Sequence, residues 1–417
     1  MGAIVDAAYV VGLVASSPVL VPRMLRRGKH RIDWRARLGR GESLPAPDAP
    51  RVLLHGVSVG EVNAIRQLVD GLLTRPSGCE VVVASTTATG LARANALYAD
   101  RCHVVQYPLD LSASVGRFLD RIQPSLFASV ELELWPNFTR ACARRGIPQI
   151  VVNGRLSERS FRGYRRVRPL IRPMFGRVNH VGAQDAVYAD RFRRLGVASD
   201  AIAITGTMKW DAARIDEEVA GRAELAKSLG IDPDRPLIVA GSTAPDEHLL
   251  LHQATPDGVQ LLCAPRRPEW FDQAGAVLEG CARRSRSDHG SSTDRFLLDT
   301  MGELRTAYSL ADVVVIGRSF GDLHGSDMME PAALGKPVVV GPATGDFQQT
   351  VDALREAGGI VVSSREALAG DLADLIDRED RRLELSSRAR DVVVANQGAT
   401  ARTLSLIERE IEGWKAR

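Results

Sequence analysis

Cysteine is scarce. The five thiols, Cys79, Cys102, Cys142, Cys263 and Cys281, form no CxxC pair and no group with histidine at metal-ligand spacing. That excludes a disulfide framework and a Cys/His zinc site, and the residues read as reduced thiols in a cytosolic compartment. No repeat of 20 to 50 residues recurs, which excludes a solenoid. No Ser/His/Asp context for acyl transfer stands out. Asp232 and Asp234 have the spacing of a DxD metal pair, but they are bracketed by Pro233 and Pro236 and read as turn residues. No metal site is therefore expected.

A long apolar run is also missing. The longest candidate, Ala7 to Val21, amounts to about fifteen residues, or about 22 Å of helix against a hydrocarbon core of roughly 30 Å. Pro18 interrupts it, and Arg23, Arg26, Arg27, Lys29 and Arg31 follow it. A cleaved signal peptide would carry its positive charge before the apolar run. The expectation is a short membrane anchor or interfacial helix over residues 1–30, with the rest of the chain on the cytoplasmic side. An amphipathic helix buried on the first domain is the alternative.

What is present fits a folded protein of two domains: 417 residues, 45% hydrophobic and 25% charged. The net charge of +3 hides an asymmetry. Residues 1–200 hold 29 Lys+Arg against 16 Asp+Glu (+13), and residues 201–417 hold 25 against 35 (−10). Eight arginines fall between Arg155 and Arg177, so the first half is suited to an anionic partner. A nucleic acid would explain the basic half but not the acidic one.

Short apolar runs alternate with helical patterns, the mark of parallel sheets covered on both faces. Strands are expected at Val52–His55, Glu80–Ser85, His103–Tyr107, Leu126–Val130, Gln149–Val152 and His180–Ala183. A second set is expected at Leu237–Gly241, Val259–Ala264, Asp312–Ile316, Val338–Val340 and Gly359–Val362. The charged stretch 209–236 between the sets reads as the linker, giving domains at 31–208 and 237–400 and a C-terminal helix at 401–417. Such a pair places the functional cleft between the domains, at the carboxyl ends of the strands.

Several segments at strand ends carry polar chemistry. In Leu53–Val62 (LLHGVSVGEV), Glu61 is a candidate general base, while Ser58 and Glu61 also have the S-x-x-E spacing of a capping box. Glu131–Asn137 (ELELWPN) is polar directly after a strand. Asn153–Ser157 (NGRLS) leads into ERSFRGYRRVRPLIRP, whose arginines could hold phosphate or lipid headgroups. Gly241–Thr243 (GST) and Gly325–Pro342 (GSDMMEPAALGKPVVVGP) read as loops of the kind that bind phosphate. Arg266 and Arg267 follow another strand, and Thr300–Leu304 (TMGEL) repeats the T-x-x-E spacing of a helix cap.

Taken in order, HGVSVGE, STTATG, ELELWPN, NGRLSERSFRGYRR, TGTMKWD, GSTAPDE, PRRPEWFD, DTMGEL and MEPAALGKPVVVGP resemble the 3-deoxy-D-manno-octulosonic acid (Kdo) transferases of lipopolysaccharide assembly. The resemblance covers nearly the whole chain. It implies an α/β GT-B glycosyltransferase fold of two facing Rossmann-like domains, CMP-Kdo as donor, a lipid A precursor as acceptor, and metal-independent inverting transfer without a cofactor. Catalysis by Glu61 as base is implied. Donor binding is implied for Lys209, Ser242, Thr243, Arg266, Met301, Gly302, Gly325, Ser326, Asp327 and Glu330. Acceptor contacts are implied for Ser58, Gly60, Glu133, Asn153 and Arg155, and contacts with an anionic membrane surface for Arg162, Arg165 and Arg166. The implied setting is the cytoplasmic face of the inner membrane, with no nucleic acid as partner. The chain departs from the family pattern at Ser326 and Asp327, which replace His and Asn, and at Ala244 and Arg267, which replace two further histidines. Another GT-B enzyme, with a different CMP- or UDP-linked donor or epimerase activity, is the alternative reading.

Overall fold

The computed structural model describes residues 6, 7, 9, 33–216, 218–286 and 293–412. The expected anchor over 1–30 falls, apart from residues 6, 7 and 9, outside them. Among the described residues no helix is long and apolar enough to cross a membrane.

The chain divides into two compact units. The first comprises Met1–Asp211 with Gln397–Arg417, the second Ala212–Asn396. Each is built on a parallel seven-stranded sheet. In the first, β1 (Arg51–Gly56), β2 (Glu80–Ser85), β3 (His103–Gln106), β4 (Leu126–Val130), β5 (Gln149–Gly154), β6 (His180–Ala183) and β7 (Ile202–Ile204) lie in the order β3-β2-β1-β4-β5-β6-β7. In the second, β8 (Leu237–Thr243), β9 (Gln260–Pro265), β10 (Ala282–Arg283), β11 (Arg295–Leu297), β12 (Val313–Ile316), β13 (Val338–Val340) and β14 (Val361–Val362) lie in the order β10-β11-β9-β8-β12-β13-β14. The order reverses between β1 and β4 and between β8 and β12, and the carboxyl ends of those strands are where such sheets bind ligands.

The central strands are buried on both faces, as parallel strands under crossover helices are. In β1, Val52 and Leu54 join one apolar cluster with Val81 and Val83 of β2, while Leu53 joins the opposite one with Val82 and Phe127. The alternation follows from the two-residue repeat of a strand. At the foot of β1 Arg51, 1% exposed, bonds Glu80 Oε2 through Nε (2.7 Å) and the carbonyls of Ile122 (2.6 Å) and Pro45 (2.8 Å) through its two Nη atoms. Three oxygens accept from this buried cation, which offsets its desolvation.

The last stretch returns to the first sheet. The helix Ala399–Ile411 buries Ala399, Thr400, Thr403, Leu406, Ile407 and Ile411, and the first, fifth and sixth of these belong to the cluster of Val52 and Leu54. Asp211 holds its start: Oδ1 accepts from Gly398 N–H (2.7 Å) and Oδ2 from Thr400 N–H (2.5 Å). A carboxylate from far away in sequence thus satisfies two donors that the helix leaves open.

Candidate active site

In the first unit the chain leaves β1 at Gly56, where a Cβ would sit 3.3 Å from that of Glu61. Ser58 caps the helix Val59–Ala64, its Oγ accepting from Glu61 N–H (3.2 Å). The return bond differs from a standard capping box. Glu61 Oε2 accepts from Val57 N–H (2.8 Å), one residue before the cap, and Oε1 accepts from the Ser58 hydroxyl (2.8 Å). Spacing alone identified the cap; the fold also aims the carboxylate back over the end of β1. Ser58 and Gly60 are exposed and Glu61 half-buried.

Beside it, β4 is followed by Glu131, whose φ of +59° is left-handed. Glu133 N–H is held by Ser129 Oγ (2.9 Å), and Trp135 Nε1 donates to Glu133 Oε2 (3.3 Å). Burial pushes Glu133 up to about 7, and the nearby Glu61 carboxylate adds to the effect while the Trp135 N–H opposes it. Glu131 is raised by burial and by Glu61, against Arg155 and Lys209. Glu61, Glu131, Glu133, exposed Arg155 and Lys209 therefore share one neighbourhood at the switch point of the first sheet. Like charges brought together out of water favour proton uptake.

Asn153, at the end of β5, is fully buried with φ +53°. Its Oδ1 accepts from Met208 N–H (3.2 Å) and its carbonyl from Gln184 Nε2 (3.1 Å). Its amide thus fastens the turn that presents Lys209. Lys209 falls in the first unit, apart from the other residues implied for the donor. His55, buried and stacked on Tyr107 at 3.5 Å, is pushed down to about 3 by burial and Arg37, so it stays neutral. A cavity of about 200 Å³, lined by Tyr9, Arg37, Thr86, Tyr107, Leu111 and Trp135, has mostly carbon walls.

The arginine-rich stretch forms the helices Glu158–Arg166 and Arg168–Phe175, which bury Phe161, Met174 and Phe175. Arg162 pairs with Glu158 (2.8 Å), and Arg165 and Arg166 are exposed in the last turn of the first helix. Leu170, on the second of these helices, is 81% exposed.

In the second unit, Ser242 at the end of β8 has φ +57°. Gly241 before it is required, since a Cβ would meet Tyr308 Oη at 2.1 Å. The phenol of fully buried Tyr308 is raised by burial, by Glu330 and by Asp327, while the Ser242 hydroxyl and Arg266 oppose the shift. The fold thus gathers Ser242, Arg266, Asp327 and Glu330 around one phenol. Thr243 is buried, its hydroxyl paired with His248 Nε2 (3.0 Å), and its carbonyl accepts from Arg266 N–H (3.0 Å). Burial pushes His248 down to about 4.

Glu330 meets Arg305 Nη1 at 3.7 Å, and Arg305 Nη2 donates to Asp216 Oδ2 at 2.8 Å. Gly325 (φ +86°) donates its N–H to the Arg318 carbonyl (2.7 Å). Asp327 Oδ1 accepts from Met329 N–H (2.8 Å), and the Ser326 hydroxyl is buried without a hydrogen-bond partner. The helix that follows, Met329–Ala333, has only five residues, so its dipole adds little beyond the loop's own N–H groups.

Met301 is 62% exposed and Gly302 has φ +93°. The TMGEL spacing is not a helix cap: the Thr300 hydroxyl donates to the Glu303 carboxylate, which Arg284 also grips through Nε (3.1 Å) and Nη2 (2.9 Å). Asp234 N–H bonds Asp232 Oδ1 (3.0 Å), the turn expected of that pair. Among the described residues no group of three or more His, Cys, Asp or Glu could hold a metal.

Sequence reasoning placed Glu131 only within the polar ELELWPN stretch after a strand, and gave no role to Tyr308 or Glu247. Glu247 is fully buried and binds four backbone N–H groups. Its only sequence signal is a carboxylate four residues after GST.

A family model described as 3-deoxy-D-manno-octulosonic-acid transferase (kdotransferase) matches residues 32–212. The chain is 32% identical to a 3-deoxy-D-manno-octulosonic acid transferase of Bordetella pertussis, covering 96% of this chain and 98% of that one. It is 30% identical to the protein so named in Haemophilus influenzae, covering 89% of each. Among solved structures, a UDP-GlcNAc 2-epimerase from Neisseria meningitidis shares the fold at TM-score 0.56 and 12% identity, covering 86% of this chain and 100% of that one. The two parallel α/β sheets are thus of GT-B type, and the chain belongs to the 3-deoxy-D-manno-octulosonic acid (Kdo) transferase family, a family of glycosyltransferases.

Proposed function

We propose that this enzyme transfers Kdo from CMP-Kdo to a lipid A precursor with inversion, and that Glu61 is the general base. The observation that carries the reading is the Glu61 carboxylate, held by Val57 N–H and the Ser58 hydroxyl beside Glu131 and Glu133 at the switch point of the first sheet. Glu61 takes the proton of an acceptor hydroxyl, the oxygen attacks the anomeric carbon, and the bond to CMP breaks with its electron pair leaving on the phosphate. Ser58, Gly60, Glu133 and Arg155 contact the acceptor, and Asn153 acts through the turn it holds.

The donor is bound by Ser242, Thr243, Arg266, Met301, Gly302, Gly325, Ser326, Asp327 and Glu330. Glu330 accepts from the ribose hydroxyls, and Arg266 offsets the charge that develops on the phosphate. No metal or cofactor takes part. Exposed Arg162, Arg165 and Arg166, with exposed Leu170 on the next helix, support contact with an anionic bilayer at the cytoplasmic face of the inner membrane. The carbon-walled cavity behind Trp135 supports an acceptor with an apolar part.

The test is transfer from CMP-Kdo to a lipid A precursor, read by the mass of the product. Glu61→Gln with near wild-type turnover removes the base assignment. Thermal stabilisation by UDP and not by CMP replaces the donor and favours another GT-B activity.

A further inference from the structure

The strongest polar constellation outside the residues assigned so far is internal to the second unit. After β12 the chain turns through Gly317 and Arg318, the latter with φ +60°. Gly317 lies so close to the GST segment that a Cβ on it would sit 2.4 Å from Thr243 Cα. The turn points the successive N–H groups of Arg318, Ser319 and Phe320 at one place, and Ala244 N–H reaches the same place from the end of β8. Such converging N–H groups form a nest that binds anions.

Here the anion is part of the chain. Glu247 Oε2 accepts from Ala244 (2.8 Å) and Arg318 (2.7 Å), and Oε1 from Ser319 (2.9 Å) and Phe320 (3.0 Å). Each carboxylate oxygen takes two donors. The frame around them is closed as well. Arg365 bridges the carbonyls of Phe320 (2.9 Å) and Asp246 (3.0 Å), and Ser319 Oγ donates to Ile316 O (2.6 Å) while accepting from Gly341 N–H (2.7 Å).

We propose that Glu247 is a positioning residue of the donor half-site: its carboxylate occupies the anion nest at the β8/β12 switch point and locks the loop that follows Ser242 to the turn of residues 318–320. The nest is thereby withdrawn from the ligand. The donor phosphate is read by the face bearing Ser242, Arg266 and Glu330, not by the N–H groups of residues 318–320. The assignment of the second unit to the donor rests on the function proposed above; the filling of the nest does not.

Removing the carboxylate with Glu247→Ala leaves four donors open to an external anion. In full-length enzyme the variant melts lower, and formate, the smallest carboxylate, restores melting temperature in a saturable way while leaving wild type unmoved. In the transfer assay KM for CMP-Kdo rises at least about tenfold, the equivalent of one lost charged hydrogen bond, with a smaller change in kcat, and formate reverses it. If Glu247→Ala does not fold without formate, recovery of soluble enzyme by refolding in formate is the readout. Glu247→Gln, of equal size, keeps the shape and gives an intermediate loss.

A folded Glu247→Ala with unchanged melting temperature and KM overturns the proposal, and so does a damaged variant that no formate concentration repairs. Amide exchange in wild type gives a further decision: slow exchange at 318–320 without nucleotide supports a filled nest, and fast exchange that CMP alone suppresses overturns it. Lack of CMP binding by wild type would remove the donor assignment, while the melting data would still decide the role of Glu247.

Discussion

The two switch points use carboxylates in opposite ways. In the first unit Glu61, Glu131 and Glu133 lie near one another with few fixed donors, and burial with mutual repulsion lifts Glu133 to about 7. In the second, Glu247 accepts from four N–H donors, two on each oxygen. A carboxylate that trades protons needs unsatisfied neighbours; one that holds a frame needs every lone pair engaged. The same backbone topology thus provides a sparsely bonded cluster of carboxylates at one switch point and a fully bonded carboxylate at the other.

The contrast breaks most sharply at Glu61. Glu61→Gln keeps the bond from Val57 N–H but not the basicity, and turnover should fall by on the order of 10²–10⁴ with the melting temperature nearly constant. Steady-state kinetics and calorimetry on the same preparation check both halves.

Next in size is the foot of the first sheet. Arg51→Ala leaves Glu80 and two carbonyls without their cation, and should cost about 3–5 kcal/mol in urea unfolding. Gly241→Ala should cost about 1–3 kcal/mol by overpacking, because its Cβ would meet Tyr308 Oη at 2.1 Å. It should also weaken CMP binding by displacing Ser242, which calorimetric titration would detect.

The smallest effect sharpens the comparison through pH. Glu133 titrates near 7 when folded against an ordinary 4.5, so the folded state holds a proton that the unfolded state has released between those values. Its favourable contribution is complete below the ordinary value and is lost as pH rises through about 7. Glu133→Gln should therefore lose less stability than wild type between about pH 5 and pH 8, measured by unfolding midpoints. An identical loss in both proteins would remove Glu133 as the titrating group.

Much of the fold could be read from the chain because central parallel strands are continuous apolar runs, as in Leu126–Val130 and Val338–Val340. The short strands β7, β10 and β11 could not, since two or three residues such as Ala282–Arg283 carry no period. The return of Ala399–Ile411 to the first sheet was also hidden: its apolar spacing states that a face is buried, not against what. In the sites, Ser58 and Glu61 were legible because a cap is local. The gathering around Tyr308 and the clasp by Glu247 join segments about seventy residues apart, and no local pattern records them.

The clasp of Asp211 on the helix Ala399–Ile411 bears on the order in which the protein is made. Ala399, Ile407 and Ile411 complete the packing of Val52 and Leu54, yet they leave the ribosome only after the whole of 212–396. During synthesis the first sheet waits with part of one apolar face uncovered while the second unit is translated and can fold. Truncation before residue 397 therefore removes part of a core, not a tail.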